Sequence, residues 1–252
     1  MGEPYKRKIS CLVSDFFRVV IACMTIMVVM FFLRGLQEWL LNSKNYQLRK
    51  VVIKGSRFLS AKEILSNTDL CSQIDILHVN LTEVERQIRR NPFIASAYVT
   101  KRFPAAIEIE ISERLPVAYV NGTELMSVDS KGVILPLPKS GSVSDLPVIT
   151  GIKKLTGKPG QQTVNDTLLQ AVEILTKCPK SLYRQISEVH FDQRYGFLLY
   201  LTDYYFPIYL GQGAYSRKLQ YLQVLLLRLW KEKRLASLYY VDLRFENQAV
   251  VR

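Results

Sequence analysis

The stretch Arg90–Val120, RNPFIASAYVTKRFPAAIEIEISERLPVAYV, decides how this chain folds. In its middle, Ile107, Ile109 and Ile111 alternate with Glu108 and Glu110. That is the period of a strand with one face buried and the other in water. Just upstream, residues 94–104 (IASAYVTKRFP) form a second β-prone run, and Pro104 punctuates the turn between the two. Asn91-Pro92 stops whatever helix precedes it, because the residue before a proline is driven out of the helical region. Pro116 opens a further run of strands, so a domain boundary is expected there.

Towards the N-terminus, residues 48–65 (LRKVVIKGSRFLSAKEIL) read as a strand, a turn at Gly55 and a helix. Ser60 and Glu63 have capping-box spacing, each side chain satisfying a backbone N–H at the helix start. Thr82 and Glu85 repeat that spacing ahead of a helix whose Leu81, Val84 and Ile88 share one face. Residues 47–116 therefore read β-α-α-β-β, a small sheet with two helices on one face.

Residues 117–252 form a second, strand-rich domain. Residues 124–138 predict a hairpin turning at Asp129 to Gly132, and residues 139–151 a loop entering a strand at LPVITG. A helix over residues 164–178 stops before Pro179. Residues 186–192, 197–203 and 206–211 predict three antiparallel strands, and residues 215–235 a long amphipathic helix. The run Tyr239–Arg252, YYVDLRFENQAVVR, follows. Val241, Leu243 and Phe245 alternate there with Asp242, Arg244 and Glu246, predicting a half-buried strand from Tyr240 to Phe245. NQAVV loses the alternation and leaves apolar residues without a later segment to cover them. The whole is an α+β chain.

The N-terminus sets the compartment. Residues 16–33 (FFRVVIACMTIMVVMFFL) are apolar apart from Arg18. About 20 such residues cross a bilayer as a helix. A membrane helix over 16–36 is expected, after a tail over 1–15 and before a linker over 37–46. Arg18 and Arg34 are placed to snorkel to the interface, and Trp39 suits the headgroup belt. No small-residue cleavage site follows, which favours an uncleaved anchor over a signal peptide. Lys6, Arg7 and Lys8 keep the short tail cytoplasmic and place the bulk outside, although Arg34, Lys44, Arg49 and Lys50 blunt the contrast.

Composition excludes several functions. The formal charge is +12, but the cations are dispersed, and a domain outside the cytoplasm does not meet nucleic acid. The charge fits anionic lipid or an acidic partner instead. GIKKLTGKP (151–159) has five residues between its glycines where a phosphate-binding loop needs four, and Pro159 where that loop needs a hydroxyl. GQGAYS (211–216) lacks the third glycine of a dinucleotide site, at Ser216, and reads as a strand-to-helix turn. The sequons at Asn80, Asn121 and Asn165 would matter in a eukaryotic type II membrane protein. His78 and His190 stand apart, without metal-ligand spacing. Cys71 and Cys178 read as buried free thiols, with a bridge between them as the alternative. No catalytic motif, metal site or cofactor site is expected.

The order of anchor, β-α-α-β-β module and strand-rich module resembles the FtsQ/DivIB family of bacterial cell-division proteins. The resemblance is carried by VVIKGSRFLSAKEI (51–64), Arg90–Val120, VDSKGVILP (128–136), LPVITG (146–151) and LGQGAYSRKLQYLQVLL (210–226) leading into YYVDLRFENQAVVR. It implies a POTRA domain, then the family's β domain, in a non-enzymatic, single-pass scaffold of the divisome. It also implies residence in the cytoplasmic membrane with enrichment at the septum. In that family the last strand of the β domain receives a strand from FtsB, itself coiled with FtsL, and the POTRA domain recruits other divisome components. The match of YVDLR to the family motif places the partner-binding positions at Phe245, Glu246, Asn247, Gln248, Ala249 and Val250. Phe245 is then the apolar anchor and Asn247 to Val250 the pairing edge. The alternative is a central strand fully paired in its own sheet. A second functional reading, a POTRA-containing export or assembly component of the envelope, is weaker because such proteins carry several modules and a large barrel.

Overall fold

The structure is a computed structural model and describes residues 3–41, 46–70, 74–122, 124–137, 145–152, 157–245 and 248–252. Backbone proximity divides the chain into two compact units. One joins Met1–Val52, Asp69–Leu81 and Val99–Ile109; the other joins Ile53–Thr68, Thr82–Tyr98 and Glu110–Arg252.

In the first unit, α1 (Glu3–Leu41) contains one window, Val20–Glu38, long and apolar enough to cross a membrane. None of that window is buried, which argues against a soluble core helix. Arg18 and Arg34 are exposed along α1. Trp39 lies in α1, and its side chain falls outside the described residues. Beyond the helix, Leu48 N–H donates to the Ile74 carbonyl at 2.8 Å and Ile76 N–H to the Tyr46 carbonyl at 2.9 Å.

Among the described residues, β1 (Lys50–Lys54), β2 (Ile94–Arg102) and β3 (Ala106–Glu113) form a three-stranded sheet in the order β1-β3-β2. The isoleucine alternation is realised: Ile107, Ile109 and Ile111 are buried and Glu110 is exposed. Between β1 and β2 run α2 (Ala61–Leu65) and α3 (Leu81–Ile88). Ile64, Val84 and Ile88 are buried from them.

The capping box at α2 forms, with Ser60 N–H donating to Glu63 at 3.0 Å and Glu63 N–H donating to Ser60 Oγ at 3.3 Å. The second predicted box does not cap α3, because that helix begins at Leu81 and encloses Thr82 in its first turn. Glu85 pairs instead with Arg89, one turn on, at 3.5 Å. Gly55, at φ +83°, ends β1 in the left-handed region, and a Cβ there would run into the Ile111 carbonyl oxygen.

A nine-stranded sheet of described residues follows, in the order β12 (Val250–Val251), β11 (Val241–Asp242), β10 (Ile208–Gly211), β9 (Gly196–Leu201), β8 (Ile186–Asp192), β7 (Val148–Thr150), β4 (Pro116–Asn121), β5 (Leu125–Asp129), β6 (Ile134–Leu135). Its first part holds β4 (Pro116–Asn121), β5 (Leu125–Asp129), β6 (Ile134–Leu135) and β7 (Val148–Thr150). After α4 (Asp166–Lys177) and α5 (Lys180–Tyr183) come β8 (Ile186–Asp192), β9 (Gly196–Leu201) and β10 (Ile208–Gly211). The last three pair antiparallel, as the sequence predicts. The β5–β6 turn closes through Gly132 N–H to the Asp129 carbonyl at 3.0 Å.

The core forms where strand periodicity meets helical periodicity. Phe197, Leu199 and Leu201 of β9 and Ile208 and Leu210 of β10 pack in one cluster with Leu168, Ala171 and Leu175 of α4 and Leu219, Leu222, Leu226 and Leu229 of α6 (Tyr215–Lys231). The alternate positions, Glu188, His190, Tyr200 and Tyr209, stay half-exposed. Cys178 caps α4 as a half-buried free thiol, whose pKa burial pushes up to about 12. Cys71 lies outside the described residues.

Candidate functional site

The candidate site is the edge of the large sheet formed by the last residues of the sequence. After α6 the chain enters β11 (Val241–Asp242), which runs parallel to β10, with Ile208 opposite Val241 and Tyr209 opposite Asp242. Helix α6 is thus the crossover that two parallel neighbours require. Val241 N–H donates to the Pro207 carbonyl at 3.1 Å and Leu243 N–H to the Tyr209 carbonyl at 2.8 Å.

The chain then reverses, and β12 (Val250–Val251) returns antiparallel, with Val251 opposite Val241 and Val250 opposite Asp242. The single strand expected from Tyr240 to Phe245 is therefore shorter. Val241 and Leu243 are buried as the pattern requires, but Asp242 between them is buried as well, and Phe245 sits in the reversal at 54% exposure. The apolar tail covers β11 itself. Within the described sheet, β11 is interior and β12 is the edge.

Ladder geometry identifies which backbone groups face outward. Arg252 N–H donates to the Tyr240 carbonyl, and Tyr240 N–H to the Arg252 carbonyl, both at 3.2 Å. These residues form a hydrogen-bonded pair, so the next pair, Val241 and Val251, points its backbone groups away from each other. For Val241 that direction is β10, as observed; for Val251 it is the outer edge.

The predicted residues divide accordingly. Phe245 and Gln248 line a hollow with Leu243 and with Ala214, Arg217, Lys218 and Tyr221 from the start of α6. Ala249 is partly buried against the core, and Val250 is exposed on β12. Glu246 and Asn247 lie outside the described residues. The α6 contributors were missed, since nothing in the local sequence ties Arg217 or Tyr221 to residues near position 245. Val251 belongs to the NQAVV stretch that the sequence leaves open, and that its backbone groups are the outward-facing ones depends on the register with β11.

One charged pair fixes this corner. Asp242 is only 5% exposed. Its carboxylate accepts from Arg244 Nε at 3.0 and 3.1 Å, from Nη2 at 2.6 Å and from the Arg244 backbone N–H at 3.0 Å. Burial pushes the Asp242 pKa up, but the Arg244 hydrogen bonds and charge, with Lys218 nearby, outweigh it and hold the carboxyl below its usual range. Just past the end of β11 the Arg244 backbone N–H turns back onto the carboxylate, which brings aspartate and arginine together. The guanidinium also lies 5.0 Å from the Tyr209 ring centroid and 5.4 Å from that of Tyr195. Lys218 Nζ donates to the carbonyls of Leu210 at 2.8 Å and Gln212 at 3.1 Å, joining α6 to the end of β10. Burial lowers its pKa.

Such a site offers surface: an open backbone edge beside an apolar hollow with a cationic rim. Among the described residues no group of three or more His, Cys, Asp or Glu could hold a metal ion. His190 meets Thr150 Oγ1 at 2.6 Å, and Glu188 lies 3.6 Å away. Those contacts belong to the half-exposed face of the sheet.

Comparison with known proteins identifies the class first. Residues 46–114 match the family model described as "POTRA domain, FtsQ-type", and residues 118–244 match "Cell division protein FtsQ/DivIB, C-terminal". The chain belongs to the FtsQ/DivIB family of bacterial cell-division proteins. It is 31% identical to cell division protein FtsQ of Anaeromyxobacter sp. (strain K), over 79% of this chain and 68% of that one. It is 26% identical to the FtsQ of Syntrophotalea carbinolica, over 85% of this chain and 77% of that one. Among solved structures, the major extracytoplasmic domain of DivIB from Geobacillus stearothermophilus is similar at 21% identity and a TM-score of 0.34, over 48% of this chain and 97% of that one.

Proposed function

We propose that this protein is a non-enzymatic, single-pass scaffold of the divisome that presents β12 to a strand from an FtsB-like partner, itself paired with an FtsL-like protein. The observation that carries the reading is the position of β12. It is the outermost strand of the described sheet, Val251 faces its backbone groups outward, and the hollow beside it is lined by Phe245 and Gln248. Unpaired strand edges recruit strands, main-chain hydrogen bonds supplying affinity and adjoining pockets supplying specificity. In this reading α1 holds the protein in the cytoplasmic membrane with its N-terminus inside, residues 47–116 form the POTRA domain that recruits other divisome components, and the protein concentrates at the septum.

Co-purification of the full chain with FtsB-like and FtsL-like proteins tests this. Val251→Pro removes the outward N–H and leaves the hydrogen-bonded Tyr240–Arg252 pair in place, a substitution that strand edges tolerate. It should abolish capture, while Phe245→Ala should weaken it. Normal capture by a folded Val251→Pro chain would refute strand addition.

A further inference from the structure

We propose a second contact surface, for anionic lipid headgroups, at the β2–β3 turn. Phe103 stands at this turn with 62% of its surface exposed, between the exposed residues Arg102 and Pro104. Its ring meets that of Tyr46 edge-on, at a centroid distance of 6.4 Å and an angle of 82°. Together Tyr46, Leu77, Phe103 and Pro104 line a shallow apolar hollow. The hollow is held from behind, since Lys101 Nζ donates to the Leu77 carbonyl at 2.9 Å.

Cations gather around it. The backbone N–H groups of Arg49 and Lys50 both donate to the Ala105 carbonyl, at 2.9 and 3.3 Å, bringing these residues to the turn. By backbone placement Arg49 and Lys50 flank the turn and Lys101 and Arg102 lead into Phe103; the Lys101 ammonium is held by the Leu77 carbonyl and Arg102 by Glu108 at 3.2 Å, with Asp75 on His78 at 3.1 Å as the other acidic contact. An exposed aromatic with an apolar floor and a cationic rim is the composition that settles at a bilayer interface. The ring enters the headgroup zone, and each Lys or Arg near an anionic surface contributes about 1 kcal/mol.

The tether commits the occupant to a bilayer. All of these residues fall in the same compact unit as α1. Helix α1 ends at Leu41, and Tyr46 follows five residues later. Five residues span at most about 18 Å even when fully extended. Lipid headgroups add roughly 5–7 Å on each side of the hydrocarbon core. Full extension puts the hollow about 18 Å from the end of α1, and a bend in those five residues brings it within a Debye length, about 8 Å, of the headgroups. The inference rests on α1 being a membrane anchor, and its test separates the two.

The full chain is placed in nanodiscs of phosphatidylcholine, alone or with phosphatidylglycerol, containing acyl-brominated lipid as a fluorescence quencher. A Trp230→Phe chain leaves Trp39 to report the anchor. A Trp39→Phe, Trp230→Phe, Phe103→Trp chain reports the turn. Trp39 should be quenched in both lipids. Position 103 should shift to the blue and be quenched only with phosphatidylglycerol, and high salt should reverse this. Adding Arg49→Glu and Lys50→Glu should weaken the partition at least about fivefold per charge. Quenching of Trp39 without quenching at position 103 would overturn the lipid contact alone, and so would equal quenching at 103 in the two lipids. An unquenched Trp39 would remove the anchor and the contact together. Protection of position 103 from iodide only when another division protein is added would assign the turn to a protein partner and overturn the proposal.

Discussion

Replacing Arg244 with alanine tests whether the Asp242–Arg244 pair holds the sheet edge in place. Asp242 is 5% exposed, so its carboxylate has little water to fall back on when the guanidinium is removed. Breaking a buried ion pair costs about 3–5 kcal/mol. Two features reduce that here. The Arg244 side chain is 36% exposed, and the charge of Lys218 still favours the Asp242 carboxylate. Solvent screening of the exposed arginine and the surviving backbone hydrogen bond bring the expected loss to about 2–3 kcal/mol. Arg244→Lys should recover part of it, since lysine supplies charge without the planar fork that grips both oxygens and lies over Tyr195 and Tyr209. The pH dependence follows in sign. A carboxyl held below its usual range stabilises the fold above its unfolded pKa, and that contribution is lost as the pH falls through the folded value. In the variant, burial without the guanidinium raises the pKa, so protonation relieves the strain. The stability gap between wild type and Arg244→Ala should be widest near neutrality, narrow as the pH falls towards the ordinary aspartate value of 3.8, and close only below it, where the wild-type carboxyl protonates. Denaturant unfolding of the full chain in detergent, followed by near-UV circular dichroism across pH, reads the gap directly. A loss below about 0.5 kcal/mol, or one independent of pH, would show that the pair is a surface ornament.

Three further substitutions have defined outcomes. Gly211 sits at φ +68°, and a Cβ there would come 2.8 Å from Arg244 Cγ. Gly211→Ala should cost about 1–3 kcal/mol, and its cost should be less than additive with Arg244→Ala, since the two share one clash. Asp129 accepts Arg114 Nη1 at 2.9 Å and the N–H groups of Lys131 at 2.9 Å and Val133 at 2.8 Å, with a side chain only 6% exposed. Asp129→Ala should destabilise by about 3–5 kcal/mol in the same unfolding assay, through a stranded guanidinium and two unsatisfied amides. Ser60→Ala should cost about 1 kcal/mol by removing the N-cap of α2, seen as faster amide exchange at Ser60 and Glu63, with partner capture unchanged.

Which parts of this fold can be read from sequence follows from how far apart the deciding atoms lie. The isoleucine–glutamate alternation of β3 and the Ser60–Glu63 box are settled within a few residues, and both form as the pattern predicts. The same spacing fails at Thr82, because the helix starts at Leu81, two residues earlier than the motif requires. At the C-terminus the limit is sharper. The sequence places a helix between two strands, and that order already implies a parallel crossover from β10 to β11. It also places Asp242 and Arg244 on one face. It does not contain the reversal after Leu243. A two-residue β12 has almost no pattern of its own, and its register is set by Val241 and by the Tyr240–Arg252 pair across the turn. That register turns an expected open strand into a closed β11 and an open β12, and moves the outward-facing amide to Val251. The interaction hypothesis therefore acquires a definite position: a partner's strand extends the sheet beyond β12, and the residues that line the adjoining hollow come from α6 as well as from the reversal at Phe245. If α6 supplies that wall, Tyr221→Ala should weaken partner capture while leaving the fold intact. A strand held by backbone pairing alone would not respond to it.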